Sequence, residues 1–264
     1  MRRSKAVDSG PAYVVVGRGR WAQRMREILL GENRRVAEMP EARRNAVESD
    51  SDYEARLAEG FRKSNARIAW LCVPPGPHVC AMVKAGIQAG LNVVAEKPWF
   101  ASPAETAALL ALARRAAKQA AIHYEYCMLD EVESWRRQYA DMGGLDFSGT
   151  FHHSRPSHLA LDALDNLGTH LVSIRNFAVP SSRVIALDCA YGQPDERVVR
   201  IERGGAPFRR IDLLSSREPI IQRFIGRFES ALDREAFPLD LNFALQVAEE
   251  IAAFRRGDDS VIHR

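Results

Sequence analysis

Three places in this 264-residue chain carry residue types at spacings that could do chemistry. Near the start, Gly17, Gly19 and Ala22 form G-x-G-x-x-A between an apolar run and a helix-like stretch. The first glycine permits a tight turn and the second lets backbone approach a pyrophosphate. A small third residue allows close helix packing while amides at the helix N-terminus face the phosphates. The same triplet also arises as a plain turn, and a methyltransferase would use a glycine-rich first turn too, so the motif alone does not name a cofactor. Further on, Lys97 ends an apolar run and precedes Pro98. Proline biases the residue before it towards an extended backbone, which fixes where the lysine leaves its strand. An ammonium at that point can donate to a substrate oxygen and exchange a proton; the plain alternative is a solvated lysine after a strand. The third is His170, in a helix-like stretch where a core histidine satisfied by backbone is the ordinary explanation.

The elements that must position these residues alternate in the first half of the chain. Ala12 to Val16 reads as a strand ending at Gly17, and the next stretch places Trp21, Ala22, Met25, Ile28 and Leu29 on one helical face. Strands follow at Arg35 to Met39, Ile68 to Val73, Leu91 to Glu96 and Ala120 to Tyr124, with helices at Tyr53 to Arg62 and His78 to Ala89. Pro74, Pro75 and Pro77 stop the third of these runs, and Gly90 suits a helix C-cap. Ser102, Pro103 and Glu105 make a capping-box start for a helix to Ala117. Alternation of this kind predicts a parallel sheet with helices on both faces. Lys97 then lies on the carboxyl edge, where open sheets bind ligands.

After about Tyr126 the pattern changes. Leu145 to His153, Arg183 to Tyr191, Glu196 to Arg203 and Phe208 to Leu214 read as strands joined by turns, with helices at Asp165 to Phe177, Glu218 to Leu232 and Leu241 to Phe254. The expected fold class is α/β: a doubly wound parallel Rossmann domain over 12–124, then a smaller α+β domain over 125–256 on an open, mostly antiparallel sheet. Residues 1–11 and 257–264 read as flexible tails.

Composition excludes several other classes. The apolar fraction of 46% and charged fraction of 27% are those of a globular chain. The net charge of +3 is small and the arginines are interspersed with acidic residues, so no nucleic-acid partner is expected. Cys72, Cys80, Cys127 and Cys189 form no C-x-x-C pair, which predicts neither a disulfide framework nor a zinc site. His152, His153 and His158 could suggest a metal, but adjacent residues on a strand point to opposite faces, so no metal is expected. No run approaches the length of a membrane span, and Arg2, Arg3 and Lys5 have no apolar stretch behind them. A cytoplasmic location and no membrane partner are the expectation.

The segment WLCVPPGPH, a helix, and then GLNVVAEKPWFASPAE resembles the glucose-fructose oxidoreductase, inositol dehydrogenase and MocA family. Members of that family have a strand ending in a Pro-containing turn followed by His, here Pro74 and His78, and a later strand ending in Glu-Lys-Pro, here Glu96, Lys97 and Pro98. With the glycine motif and GTH at Gly168 to His170, the resemblance spans most of 12–256. It implies an NAD(P)-dependent dehydrogenase or reductase in which Lys97 and His170 handle the proton. It also implies a dinucleotide held by Gly17, Gly19, Arg20, Trp21, Ala22, Cys72, Val73, Pro74, His78, Glu96 and Lys97. The family carries D-x-G-x-H where this chain has Asn166, Leu167, Gly168, Thr169 and His170. Asn166 shares a helical face with His170 and can hydrogen-bond or orient it, but cannot take a proton. Cys127 stands where family members often have an arginine, and Tyr124, Tyr126, His152 and His153 rank as secondary candidates.

For the cofactor, Glu38 lies where an acid would bind a ribose 2′-hydroxyl and favour NAD, whereas Arg43 and Arg44 could bind a 2′-phosphate. The reading leans to NADP. The family's usual substrates are sugars, inositols and nucleotide sugars; imine or enone (tetrapyrrole-type) reduction, or a dinucleotide-binding regulatory module that has lost catalysis, are the alternatives. Apolar alternation at Val184, Ala186 and Leu187 in a thin second domain predicts a homo-oligomer joined through that sheet.

Overall fold

The structure, a computed structural model, describes residues 12–37, 39, 42–43, 45, 47–157, 161–216, 219–232 and 237–257. The chain divides into two compact units. One runs up to His123 and takes in Ile225–Asn242; the other holds Tyr124–Phe224 and the chain from Phe243 onward. This differs from the single break expected near residue 125, because a late segment returns to the first unit. Leu239 carbonyl accepts from Ile122 N–H at 3.0 Å, and Asp240 forms an antiparallel bridge with Ala121. Phe237 packs edge-on against Phe228. Tyr13 hydroxyl donates to Glu229 at 2.7 Å, and Arg34 makes a bidentate pair with the same carboxylate at 2.8 and 2.7 Å. Pairings this distant in sequence leave no local signal.

The first unit is a five-stranded parallel sheet of β1 (Tyr13–Val16), β2 (Val36–Ala37), β3 (Ile68–Leu71), β4 (Asn92–Glu96) and β5 (Ala120–His123), in the order β2-β1-β3-β4-β5. Strands β1, β3 and β5 are buried along their whole length, as expected of a parallel sheet covered on both faces. The helices between them are α1 (Arg20–Gly31), α2 (Asp50–Ser64), α3 (Pro77–Gln88) and α4 (Pro103–Arg115). Helix α1 buries Ala22, Met25, Ile28 and Leu29 but leaves Trp21 37% exposed, so Trp21 does not join the core face on which its spacing placed it. Helix α4 begins with the expected capping box between Ser102 and Glu105. Strand order reverses at β1, which puts the topological switch point between β1 and β3, the place where open α/β sheets bind ligands.

The second unit contains a four-stranded sheet of β6 (Leu145–His153), β7 (Arg183–Tyr191), β8 (Glu196–Arg203) and β9 (Ala206–Asp212), ordered β7-β6-β8-β9. β6 pairs parallel with β7 and antiparallel with β8, and β8 pairs antiparallel with β9, so the sheet is mixed with antiparallel pairs in the majority. Helix α5 (Asp130–Tyr139), absent from the sequence reading, precedes it, and α6 (Ala163–Ala178) covers one face. Helices α7 (Ile220–Ala231) and α8 (Leu241–Arg256) follow, and both divisions between the units fall near or within them.

The face of this sheet under α6 carries Leu145, Phe147, Gly149 and Phe151, with the Leu171 side chain seated directly over Gly149. Val184 and Leu187 pair with Phe147 and Gly149 and lie on that covered face. The opposite face carries Asp146, Ser148, Thr150 and His152 of β6 with Arg200 and Glu202 of β8, and it holds ion pairs from Arg183 to Asp146 and from His152 to Asp188. Val184 and Leu187 are half-buried on the α6 face, whereas Ala186, the partner of Ser148, is exposed on the opposite face.

Candidate functional site

The glycine turn follows from hard contacts. Gly17 has φ +131°, and a Cβ on it would lie 2.2 Å from the carbonyl oxygen of Cys72, so only glycine fits between β1 and the end of β3. Arg26, nearly two turns into α1, donates to the carbonyl oxygens of Val15 and Gly17 at 3.0 and 2.7 Å and holds the turn from behind. Gly19 is different. It is the N-cap of α1 with φ −74°, its side-chain position makes no cap, and a Cβ there would meet no protein atom within 4 Å. Nothing in the fold requires glycine at 19. The first turn of α1 also contains no acidic residue. An uncapped helix N-terminus with open space before it suits a phosphate group, with its orphan amides and the positive end of the helix dipole. Ala22 is fully buried beside Gly17, which is the close packing the third motif position needs.

From this turn a cavity of about 730 Å³ extends along the switch point, lined among others by Gly17, Arg18, Met39, Arg43, Val73, Pro74 and His78. Of the predicted cofactor residues, Gly17, Arg43, Val73, Pro74 and His78 line it. Cys72 is buried and contributes its carbonyl to the wall behind Gly17 instead. Arg20 and Trp21 stand at the start of α1 outside this lining. Glu38 and Arg44 lie outside the described residues. The sequence reading missed Arg18 and Tyr53, which also line the cavity. The loop carrying Arg43 is fastened to α2: Tyr53 hydroxyl donates to Ala42 carbonyl at 3.0 Å, and Arg56 donates to Arg43 carbonyl and to both oxygens of Glu48.

The carboxyl ends of β3, β4 and β5 carry a second group of residues. Glu96 and His123 are register partners, and the Glu96 carboxylate meets His123 Nδ1 at 3.2 Å and accepts from Trp70 Nε1 at 3.0 Å. Trp21 stacks on the His123 ring with centroids 6.0 Å apart, and Trp70 meets it edge-on at 5.0 Å. Burial opposes ionisation of Glu96, but the charge of His123 and the hydrogen bonds from His123 and Trp70 help outweigh it and hold the carboxyl below the usual range. Glu96, assigned above to the cofactor, is thus engaged with protein groups. His123 and Trp70 were missed; the signal was a histidine ending one apolar strand beside a glutamate ending the next. Lys97 follows Glu96 directly, half-buried, with a cis peptide bond to Pro98.

In the second unit His170 is 5% exposed and lies in a box of aromatic rings. It stacks on Phe151 and meets Tyr126 edge-on, each at 5.0 Å between centroids. Arg197 lies over Phe151 at 4.8 Å and donates to Tyr126 hydroxyl at 2.7 Å, an arrangement the sequence did not reveal. Burial raises the Tyr126 phenol, aided by Glu125 and opposed by Arg197. Asn166 Nδ2 donates to Tyr191 hydroxyl, tying α6 to β7. The lower-ranked candidates are packing or surface residues: Tyr124 is buried against Phe243, Cys127 is buried with its thiol towards Ser173 carbonyl, and His152 and His153 pair with Asp188 and Asp195. His158 lies outside the described residues. Among the described residues no group of three or more His, Cys, Asp or Glu is arranged to hold a metal ion, and no helix is long and apolar enough to cross a membrane.

A parallel sheet with a phosphate-accepting turn at its switch point defines the class, a dinucleotide-binding Rossmann domain. Residues 12–124 match the glucose-fructose oxidoreductase, inositol dehydrogenase and MocA family model, described as an oxidoreductase family with an NAD-binding Rossmann fold. No curated protein matches the chain. Among solved structures it is similar to GenD2 from gentamicin A biosynthesis in complex with NAD, at 17% identity and TM-score 0.71, covering 98% of this chain and 97% of that one. It is similar to UDP-N-acetylglucosamine 3-dehydrogenase GnnA from Acidithiobacillus ferrooxidans, at 15% identity and TM-score 0.69, covering 96% and 99%. The WlbA dehydrogenase from Thermus thermophilus, in complex with NAD and UDP-GlcNAcA, matches at 15% identity and TM-score 0.68, covering 93% and 94%. At these identities the likeness is one of fold over nearly the whole chain.

Proposed function

We propose that this protein is a cytoplasmic NAD(P)-dependent oxidoreductase that moves a hydride between nicotinamide and a C–O centre of a sugar, polyol or nucleotide sugar. The observation that carries the reading is the contrast at the glycine turn: Gly17 is demanded by the fold, whereas Gly19 faces open space at an uncapped helix N-terminus. Without a side chain, Gly19 leaves room for a pyrophosphate to approach the backbone there. When bound, the dinucleotide supplies or accepts the hydride. The first-turn amides of α1 hold the pyrophosphate, and the cavity towards Met39 and Arg43 receives the adenosine end. NADP is favoured because Arg18 and Arg43 line that cavity and could pair with a 2′-phosphate.

Lys97 is the proposed proton donor to the substrate oxygen on reduction and acceptor on oxidation, directly after Glu96, whose carboxylate is fastened to Trp70 and His123. His170 is the second proposed proton-handling residue, its ring orientation set by Phe151 and Tyr126, and Asn166 is proposed to support it. A homo-oligomer remains part of the proposal, now through the charged open face of the second sheet. The sugar-type substrate is supported by the GnnA and WlbA likenesses. Spectrophotometric assay of nicotinamide reduction with nucleotide sugars and polyols tests the reading. Substrate-dependent turnover is expected, and dinucleotide binding without turnover on either class would favour a regulatory module.

A further inference from the structure

We propose that Trp21 and His123 are positioning residues for dinucleotide binding: Trp21 stacks on His123, which is fastened to Glu96, and together they lock the phosphate-facing first turn of α1 onto the strand ends. The inference rests on the proposed dinucleotide site and goes beyond it, because neither residue lines the cavity.

The argument starts from what Trp21 gives up. It is the second residue of α1, and 37% of its surface stays exposed although the buried stripe of Ala22, Met25, Ile28 and Leu29 runs alongside. A large indole at a helix start, off the core face, contributes little to folding unless it is held. Here it is held by its stack on His123, itself fastened to Glu96. The anchor is built to last: His123 is fully buried, the Glu96 side chain is 15% exposed, and Trp70 from β3 braces both with an N–H to the carboxylate and an edge contact to the imidazole. The titratable groups meeting in this cluster are Glu96 of β4 and His123 of β5, while α1 and β3 present the neutral indoles.

The consequence concerns the amides. A helix N-terminus frays when nothing caps it, and Gly19 gives α1 no side-chain cap. Clamping the second residue of the helix fixes the direction of the first-turn N–H groups before any phosphate arrives, which reduces the ordering cost of binding. The same clamp ends at Glu96, the residue before Lys97, so the phosphate cradle and the proposed proton donor share one rigid anchor.

The test is a double-mutant cycle read by titration of the purified full-length protein with NADPH and, separately, NADH. Trp21→Leu and His123→Leu should each weaken the dissociation constant for the preferred cofactor about tenfold, with the double variant no weaker than about tenfold, because either change releases the same clamp. If the two losses multiply to about a hundredfold, or if a folded single variant binds like wild type, the inference is overturned. Should His123→Leu fail to fold, His123→Gln takes its place in the cycle, retaining a neutral donor towards Glu96; the same non-additivity is expected. Wild type that binds neither NADPH nor NADH would overturn the dinucleotide reading and this inference together. Wild type that binds while all variants match it would overturn this inference alone.

Discussion

Replacing the two glycines of the first turn one at a time separates what the fold needs from what the ligand needs. In Gly17→Ala the new Cβ starts 2.2 Å from the Cys72 carbonyl oxygen, with the Ala22 side chain 3.2 Å away. A carbon–oxygen approach of about 3.3 Å is normal, so the ends of β1 and β3 must part by roughly 1 Å. The hydrogen bond from Cys72 N–H to Val16 carbonyl, 2.8 Å long, lies at that junction. Its weakening costs about 1 kcal/mol, and a non-glycine residue at φ +131° adds about 1–3 kcal/mol. The sum of about 2–4 kcal/mol should lower Tm by on the order of 10 °C for a chain of this size. Gly19→Ala meets no protein atom and keeps an ordinary φ of −74°, so its Tm should stay within about 2 °C of wild type. Its methyl would instead occupy the approach to the helix amides. Losing one or two charge-assisted hydrogen bonds to phosphate, at about 1.5–3 kcal/mol each, weakens dinucleotide binding at least tenfold. Differential scanning calorimetry and fluorescence titration with NADPH and NADH read the two effects separately. A Gly19→Ala protein that binds the dinucleotide as tightly as wild type would refute the reasoning, and so would a Gly17→Ala protein with an unchanged Tm.

Other expected outcomes follow from the same geometry. Lys97→Ala should lower kcat by about 10²–10⁴ with little change in cofactor affinity, since the phosphates are held at the glycine turn; steady-state kinetics on a substrate found by screening checks this. Glu96 has its pKa held down in the folded state, so the stability it contributes is present above the ordinary carboxyl pKa and disappears as pH falls through the lower folded value. Glu96→Gln should therefore flatten the acid limb of a Tm-against-pH profile, and an unchanged limb would contradict it. Arg34→Met should destabilise the first unit by about 1.5–3 kcal/mol in urea unfolding, because Glu229 loses a bidentate charged partner while Tyr13 still donates to it. Arg43→Ala should weaken NADPH more than NADH if Arg43 reads the 2′-phosphate, and an equal effect on both would remove it from that role.

Local chemistry made much of this legible in the sequence. The capping box at Ser102 and Glu105, the glycine turn after Val16, and the period-two strands at Leu145–His153 and Glu196–Arg203 depend on neighbours in the chain, and each lies where its pattern placed it. Helix α5 was missed although Val132, Trp135 and Tyr139 stand at i, i+3 and i+7 on its buried face, a sparse stripe in ten otherwise polar residues. Trp21 followed the period of α1 yet left its core face, and its indole stacks instead on the buried imidazole of His123. Glu229, Arg197 and His123 acquire their roles from partners 27 to 216 positions distant, which no periodicity encodes.

The central claim is hydride transfer on a bound dinucleotide, and its most direct measurement uses NADPH deuterated at C4 of the nicotinamide with oxidised sugar, polyol and nucleotide-sugar substrates, read by mass spectrometry of the product. Deuterium on the product carbon with wild type, and its loss by about 10²–10⁴ in rate with Lys97→Ala, is the predicted result. Product that acquires its hydrogen from water, or a protein that binds NADPH and transfers no deuterium to any member of these classes, would contradict it.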